Sequence, residues 1–342
     1  MSVVGQGLAI RPFRPEDESG VVELLNRSLG GGPAGERSSE FFRWKHLANP
    51  FGPSFMWVAE SEGEVVGLRA FMRWSFKADG QSISAVRAVD TATHPDHQRR
   101  GIFSLLTRES LEALREEVAL VFNTPNEKSL PGYLKMGWLV VGTIRPSVRL
   151  RRPLRFVRHI RALRDGEEPT GPRPPTEAEP AAHALVDGIT LSPLLEAAAT
   201  EHAMLHTPRD LAYLRWRYGD APLLDYRAIR LEEGGSTTGL ALFRVRPRGV
   251  LWETAIADLI VRPGDQRTAR RLLRAVARRA RVDHLTCRFP VGSTAARAAR
   301  RAGFLPAPAG APFVVNPLRD GLRPDPIDQA SWALSLGDLE VF

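Results

Sequence analysis

Residues 88–103 read Ala88-Val89-Asp90-Thr91-Ala92-Thr93-His94-Pro95-Asp96-His97-Gln98-Arg99-Arg100-Gly101-Ile102-Phe103. The front of this run is apolar and strand-like. Downstream, Leu105, Leu106, Leu111 and Leu114 fall on or near one face of a helix predicted over 101–117. A strand that passes through a short loop into a helix turns unpaired backbone N–H groups and the positive end of the helix dipole toward one point. Phosphate oxygens suit that point. Gly101 permits close backbone approach, and Arg99 and Arg100 add complementary charge.

Working outward, Ser82–Thr93 is predicted as a long strand, preceded by strands Phe55–Glu60 and Val65–Trp74 joined by a Glu-Gly turn. Ile10–Arg14 is a further strand, and helices are expected over 16–29 and 38–48. After the 101–117 helix come a short buried strand, Leu120–Asn123, a helix over Ser129–Lys135, and a strand starting at Trp138. The pattern is α/β: a mixed, mainly antiparallel sheet flanked by helices.

The chain then repeats itself. Phe42-Arg43-Trp44-Lys45 is echoed by Leu214-Arg215-Trp216-Arg217, and Gly67-Leu68 by Gly239-Leu240. Asp90, Pro95, Gln98 and Arg99 are echoed by Asp258, Pro263, Gln266 and Arg267, and Gly137-Trp138 by Gly303-Phe304. The common order and near-constant spacing indicate two copies of one fold. Expected boundaries are 1–148 for the first copy, 149–185 for a basic helix and a Pro/Glu-rich linker, and 186–342 for the second copy with a tail. The second copy has no glycine in Gln266-Arg267-Thr268-Ala269, and Ala299 stands where the first has Tyr133. It is expected to have kept the fold and lost the site, and to supply one wall of an acceptor pocket.

The loop resembles the acetyl-CoA signature of the GNAT acetyltransferases, Gln/Arg-x-x-Gly-x-Gly/Ala, with Phe103 in place of the final small residue. A second stretch, Asn126-x-x-Ser129-x-x-x-Tyr133-x-x-x-Gly137-Trp138, resembles that family's Asn-x-x-Ala-x-x-x-Tyr-x-x-x-Gly-Phe at every spacing. The resemblance implies two GNAT-like domains in tandem. It implies that Gln98, Arg99, Arg100, Gly101, Ile102, Phe103 and Ser104 cradle the pyrophosphate of acetyl-CoA. The pantetheine arm would run along Thr91, Ala92 and Thr93 and be held from Asn126 and Ser129. Backbone N–H groups around Ala92–Thr93 would polarise the thioester carbonyl. Tyr133 would be the general acid for the departing thiolate, since a phenol keeps its proton at neutral pH. Asp90 is the candidate general base or, because Asp258 repeats it, a structural carboxylate. His94 and His97 are alternative bases. Phe41, Arg43, Trp44, Lys45, Arg69, Arg73 and Trp74 either line the acceptor site or pack the core.

Bulk properties narrow the reading. The chain has 342 residues, enough for two domains at about 100–200 residues each. Its net charge is +8, but residues 1–148 hold 17 basic and 17 acidic side chains, and 165–342 hold 23 and 22. Almost all of the excess is the seven arginines of 149–164, expected to form a solvated connecting helix rather than an amphipathic helix on an anionic membrane. No nucleic-acid motif or membrane span is present in the sequence. Without a signal-peptide profile the expectation is a cytoplasmic protein. The single cysteine, Cys287, excludes an internal disulfide and reads as a buried structural thiol. No His/Asp/Glu cluster has metal-ligand spacing, so no metal is expected. The expected activity is transfer of an acetyl or other acyl group to a small-molecule or amino-sugar amine. The alternatives are a Fem-like transferase using aminoacyl-tRNA, disfavoured by the CoA-type loop, and a non-catalytic acyl-CoA-binding module.

Overall fold

The computed structural model describes residues 2–4, 7–29, 37–159, 180–199, 203–279 and 281–339. Of the segment expected over 149–185 as basic helix and linker, residues 160–179 lie outside the described residues. The first copy runs β1 (Ser2–Val4), β2 (Leu8–Pro12), α1 (Glu18–Leu29), α2 (Ser39–His46), β3 (Phe55–Ser61), β4 (Glu64–Ala78) and β5 (Gln81–Thr93). It continues through α3 (Ile102–Leu114), β6 (Leu120–Asn123), α4 (Leu130–Lys135) and β7 (Leu139–Ile144). Ser38 caps α2 by accepting from the Phe41 N–H at 3.1 Å. The β3–β4 turn is Glu62-Gly63, with φ of 54° and 83°, and the β4–β5 turn is Asp79-Gly80, with φ of 46° and 75°. Two left-handed residues in succession make the tight hairpin turn that matches strand twist. The second turn carries β4 to Ala78, beyond the expected end at Trp74.

Next come β8 (Ser147–Leu150) and α5 (Pro153–His159). Arg149 and Leu150 therefore end a strand, and the basic helix begins only at Pro153, a residue suited to the first helical turn. Its Leu154 and Val157 are exposed. The second copy has α6 (Ala182–Leu185), α7 (Gly188–Ala198), α8 (Leu211–Leu214), β9 (Tyr226–Glu233), β10 (Ser236–Arg248) and β11 (Leu251–Val261). It continues with α9 (Gln266–Arg279), β12 (His284–Cys287), α10 (Thr294–Arg301), β13 (Leu305–Pro306), β14 (Ala311–Pro317) and α11 (Leu336–Leu339). None of the described helices is long and apolar enough to cross a membrane.

Two mixed sheets result, in the orders β1-β2-β3-β4-β5-β6-β14-β7 and β13-β8-β12-β11-β10-β9. The copies trade one strand each. β14, from the end of the second copy, lies between β6 and β7, antiparallel to both. β8, which follows the first copy's β7, lies between β12 and β13, antiparallel to both.

Each copy presses one long helix onto its sheet at a glycine. A Cβ on Gly67 would lie 2.8 Å from Ile102 Cγ2 and 3.1 Å from Leu106 Cδ1 of α3. A Cβ on Gly239 would lie 2.7 Å from Thr268 Cγ2 and 2.9 Å from Leu272 Cδ1 of α9. These echoed glycines therefore set the helix-to-sheet distance, and with it the height of each helix N-terminus above its strand edge.

Candidate active site

The site begins as a defect in β5. Leu68 on β4 pairs with Ala92, but Ala70 pairs with Val89, so Asp90 and Thr91 face the single residue Arg69 in a bulge. Asp90 takes φ 40° there. On its other side β5 pairs with β6 only over Ala85, Val86 and Arg87. From Ala88 to Thr93 the β6-facing edge has no strand along it among the described residues, and the chain after Asn123 turns away toward α4. The result is a wedge between β5 and β6, flanked by the stretch of β5 that does not pair with β6; within it the Thr93 carbonyl accepts from Ser28 Oγ at 3.2 Å. Thr91, Ala92 and Thr93 lie along it, with Ala92 and Thr93 paired to Leu68 and Gly67 on the β4 side.

The expected phosphate loop stands just beyond β5. Arg99 and Gly101 are both left-handed, with φ of 62° and 77°, and Gly101 caps α3 with no side-chain acceptor. The first helical bond runs from the Leu105 N–H to the Gly101 carbonyl at 3.0 Å. The N–H groups of Gly101, Ile102, Phe103 and Ser104 are thus the helix's free donors. Gln98, Arg99, Arg100, Gly101 and Ser104 are exposed, and neither arginine has an acidic partner among the described residues. A Cβ on Gly101 would point into open space. The glycine is therefore required by its backbone angle, not by protein packing.

Ahead of α4, Asn126 builds the turn that leads into the helix. Its Oδ1 accepts from the Ser129 N–H at 2.9 Å, from Ser129 Oγ at 3.0 Å and from the Lys128 N–H at 3.1 Å. Asn126 and Ser129 are accordingly tied to each other, and their first effect is to place Tyr133. The Tyr133 ring is buried edge-on between Phe103 (5.9 Å, 87°) and Trp138 (5.0 Å, 66°). Phe103, the departure from the family's small residue, is thus part of the wall around the phenol.

Arg69 closes the wedge from beneath. It has zero exposure. Its Nη1 donates to Tyr133 Oη at 3.0 Å and to Thr91 Oγ1. Its guanidinium lies 4.3 Å from the Phe71 ring centre, 5.3 Å from that of Tyr133 and 5.7 Å from that of Phe103. Arg69 Nε and Nη2 are buried with no hydrogen-bond partner among the described residues. The sequence marks this residue as the one charge in the apolar run Val65–Met72.

Asp90 reaches toward α2, where its Oδ2 lies 2.6 Å from Lys45 Nζ and 2.9 Å from His46 Nε2. Burial alone would raise its pKa; Lys45 and His46 outweigh burial and hold the carboxyl well below the usual range. Burial lowers the His46 value, so the ring is neutral. A carboxylate has no proton to give, so Nε2 carries the hydrogen and Nδ1, 2.9 Å from Ser54 Oγ, accepts. These partners favour the structural-carboxylate alternative for Asp90 over proton acceptance. His94 contacts Arg27 and Asp96 beside the phosphate loop, with the His97 ring 5.8 Å away.

The aromatic run packs rather than lines. Phe41, Trp44 and Trp74 are buried, and Trp74 Nε1 donates to Thr207 Oγ1 of the second copy at 2.8 Å. Arg43 is exposed and paired with Glu18, and Arg73 lies 3.8 Å over the Phe55 ring.

The second copy repeats the frame and fills the site. Tyr218 follows Arg217 as His46 follows Lys45, and its hydroxyl donates to Asp258 Oδ2 as His46 does to Asp90. At the start of α9, Asp265 occupies the helix N-terminus with its own carboxylate, accepting from the Thr268 N–H at 2.9 Å. Where β11 runs on past its pairing with β12, the tail enters. The Leu336 N–H donates to the Arg288 carbonyl at 2.9 Å, and Gly337 packs on Asp258 and Tyr218 so closely that a Cβ would overlap both. Arg209 holds Asp258 (3.1 Å) and Asp338 (2.8 Å) together. The same tail then meets the first copy, where Arg87 donates to the Asp338 carbonyl and, at 2.8 Å, to that of Leu339. Burial pulls Arg87 down to about 9.

Comparison with known proteins bears on the first copy most directly. Residues 9–141 match the family model described as acetyltransferase (GNAT) domain. No curated protein matches the sequence. Among solved structures, one similar fold is a conserved protein of unknown function from Enterococcus faecalis V583, described as a probable N-acyltransferase. Its TM-score is 0.59 at 13% identity, over 92% of this chain and 73% of that one. Another is a GCN5-related N-acetyltransferase from Anabaena variabilis ATCC 29413, with TM-score 0.59 at 14% identity, over 91% and 73%. At these identities the likeness establishes the fold, across both copies.

Proposed function

We propose, from the premise that residues 9–141 belong to the GNAT acetyltransferase family, that the chain transfers an acyl group from acetyl-CoA to a primary amine of a small-molecule or amino-sugar acceptor by direct attack. The observation that carries this reading is one convergence. The open β5 edge, Ala88–Thr93, leads from four free N–H groups at the α3 terminus to Tyr133 and the orphaned nitrogens of Arg69. That spacing of donors, edge and phenol suits a pyrophosphate, an extended amide arm and a thioester in turn. The second copy, with Asp265 and the tail in the matching places, supports assigning one site per chain.

Acetyl-CoA supplies the activated acyl group. Gln98–Ser104 bind its phosphates through backbone donors, the helix dipole and the two exposed arginines. Backbone groups on the edge of Thr91–Thr93 that do not pair with β6 orient the arm, and Asn126 and Ser129 fix the α4 turn beside it. Tyr133 accepts its hydrogen bond from Arg69, a donor-only group, so its own proton is free to point into the wedge. It gives that proton to sulfur once the C–S bond has broken. The proton shed by the amine is assigned to water rather than to Asp90, because Lys45 and His46 stabilise the Asp90 anion.

The test is calorimetric titration with acetyl-CoA of the wild type and of Gly101→Glu, whose carboxylate would fill the space over the helix terminus. Micromolar binding lost in the variant is expected, and justifies screening amines for thiol release. A wild type that binds no acetyl-CoA sinks the reading.

A further inference from the structure

Arg69 is a cation sealed inside the protein with no carboxylate beside it. Among the described residues it has no ion-pair partner. A buried charge without a counter-ion is costly, and three aromatic faces offset only part of that cost. Two of its donors, Nε and Nη2, have no acceptor among the described residues. Nη1 bridges Thr91 on the bulge and Tyr133 on α4, which places the guanidinium beneath the wedge between β5 and β6, directly behind the phenol. Among the described residues hydrogen-bonded to it or stacked with it (Phe71, Thr91, Phe103 and Tyr133), only Tyr133 carries an ionisable group.

We infer that Arg69 is the anion-stabilising residue of the transfer step: from beneath the wedge, its uncompensated positive charge stabilises the negative charge that develops on the CoA sulfur. This rests on the acyl-CoA reading above. In that step the amine nitrogen forms the new C–N bond and the C–S bond breaks with its electron pair on sulfur. The surplus proton on nitrogen leaves to water. Tyr133 then delivers its proton to the sulfur and regains one from water, so one amide and one thiol result from one amine and one thioester. A neutral side chain in place of Arg69 would leave the developing thiolate in an apolar, ring-lined pocket, where an anion is least stable.

The experiment uses the whole chain and reads protons rather than turnover. CoA, and desulfo-CoA carrying hydrogen in place of the thiol, are titrated calorimetrically near neutral pH in buffers of different ionisation enthalpy. A cation within about 4–6 Å shifts such an equilibrium by about 10- to 1,000-fold toward the anion. The wild type is therefore expected to release more protons on binding CoA than on binding desulfo-CoA. Arg69→Met is expected to abolish the difference, and Arg69→Lys to keep part of it. Equal release for the two ligands by the wild type overturns the inference, and needs no variant to fold. A difference that survives in a folded Arg69→Met overturns it too. Failure of the wild type to bind either ligand is a different result: it removes the acyl-CoA reading itself, and the inference with it.

Discussion

Trp44 and Trp216, 172 residues apart, satisfy each other: Trp44 Nε1 donates to the Trp216 carbonyl at 2.7 Å, and Trp216 Nε1 donates to the Trp44 carbonyl at 2.9 Å. Their rings stack at 5.4 Å and 23°. The two residues are echoes of one another in sequence, so the repeat meets itself here across a local pseudo-twofold axis. Both are buried, at 8% and 5% exposure. Replacing either by Phe keeps most of the ring and orphans one carbonyl in the interior, a loss of about 1–3 kcal/mol. The symmetry predicts similar losses for Trp44→Phe and Trp216→Phe in urea denaturation. It also predicts a double variant whose loss departs from the sum, because the two share one interface. Unequal single losses with strict additivity would mean that the two bonds are not equivalent.

The exchange of β8 and β14 makes a second prediction. Expressed alone, residues 1–148 lack β14, which sits between β6 and β7; β7 then loses its neighbour and β6 gains a bare edge. Residues 186–342 lack β8 in the same way. Unpaired edges are templates for aggregation. We expect each half to be insoluble or poorly folded alone, and the two to be recovered together on co-expression. A soluble, cooperatively melting 1–148 would show that β14 is dispensable.

Much of this was legible beforehand, for identifiable reasons. The β5-loop-α3 junction and the α4 turn are written in local residues: Gly101, Asn126, Ser129 and Tyr133 act over a few positions. The repeat was legible because Gly67 and Gly239 obey one packing constraint. The strand exchange was not, because β8 and β14 are four and seven residues of ordinary strand pattern, and nothing local says which sheet receives them. The aromatic run could be read as pocket or core, and the structure places Trp44 and Trp74 between the copies. Arg69 was visible as a charge in an apolar strand, but its meaning depends on a helix 64 residues away. The plugging of the second wedge by Gly337 is equally non-local.

The Lys45–His46–Asp90 cluster sets a pH dependence whose sign follows from both shifts. His46 is held neutral by burial, so below about pH 6.5 the unfolded chain takes up a proton that the folded one refuses, and stability falls. Asp90 is held anionic, so its contribution is complete above about pH 3.9 and is lost as pH falls through its lower folded value. Denaturation midpoints should therefore decline in two stages on acidification. His46→Gln retains a donor for Asp90 but does not titrate, and should remove the first stage while leaving the second. Asp90→Asn strands Lys45 in the interior and should cost about 3–5 kcal/mol at neutral pH. If Asp90→Asn instead leaves stability intact and abolishes turnover, the carboxylate is the base after all.

Tyr133→Phe is the sharpest test of the proton path, because the substitution keeps a ring that already packs between Phe103 and Trp138. Binding of acetyl-CoA should be almost unchanged, since phosphates and arm meet other residues. Turnover should fall by about 100- to 10,000-fold, the range for a lost general acid. The loss should shrink with a donor whose thiol is more acidic, because a better leaving group needs its proton less. Arg69 and Tyr133 share one hydrogen bond, so their effects should not add. With Arg69→Met in place, the phenol faces a charge that no longer has a cation beside it, and its removal should cost a different factor from its removal in the wild type. Equal factors in the two backgrounds would mean that arginine and phenol act on separate events. Unchanged turnover in Tyr133→Phe alone would return Tyr133 to the role of a wall.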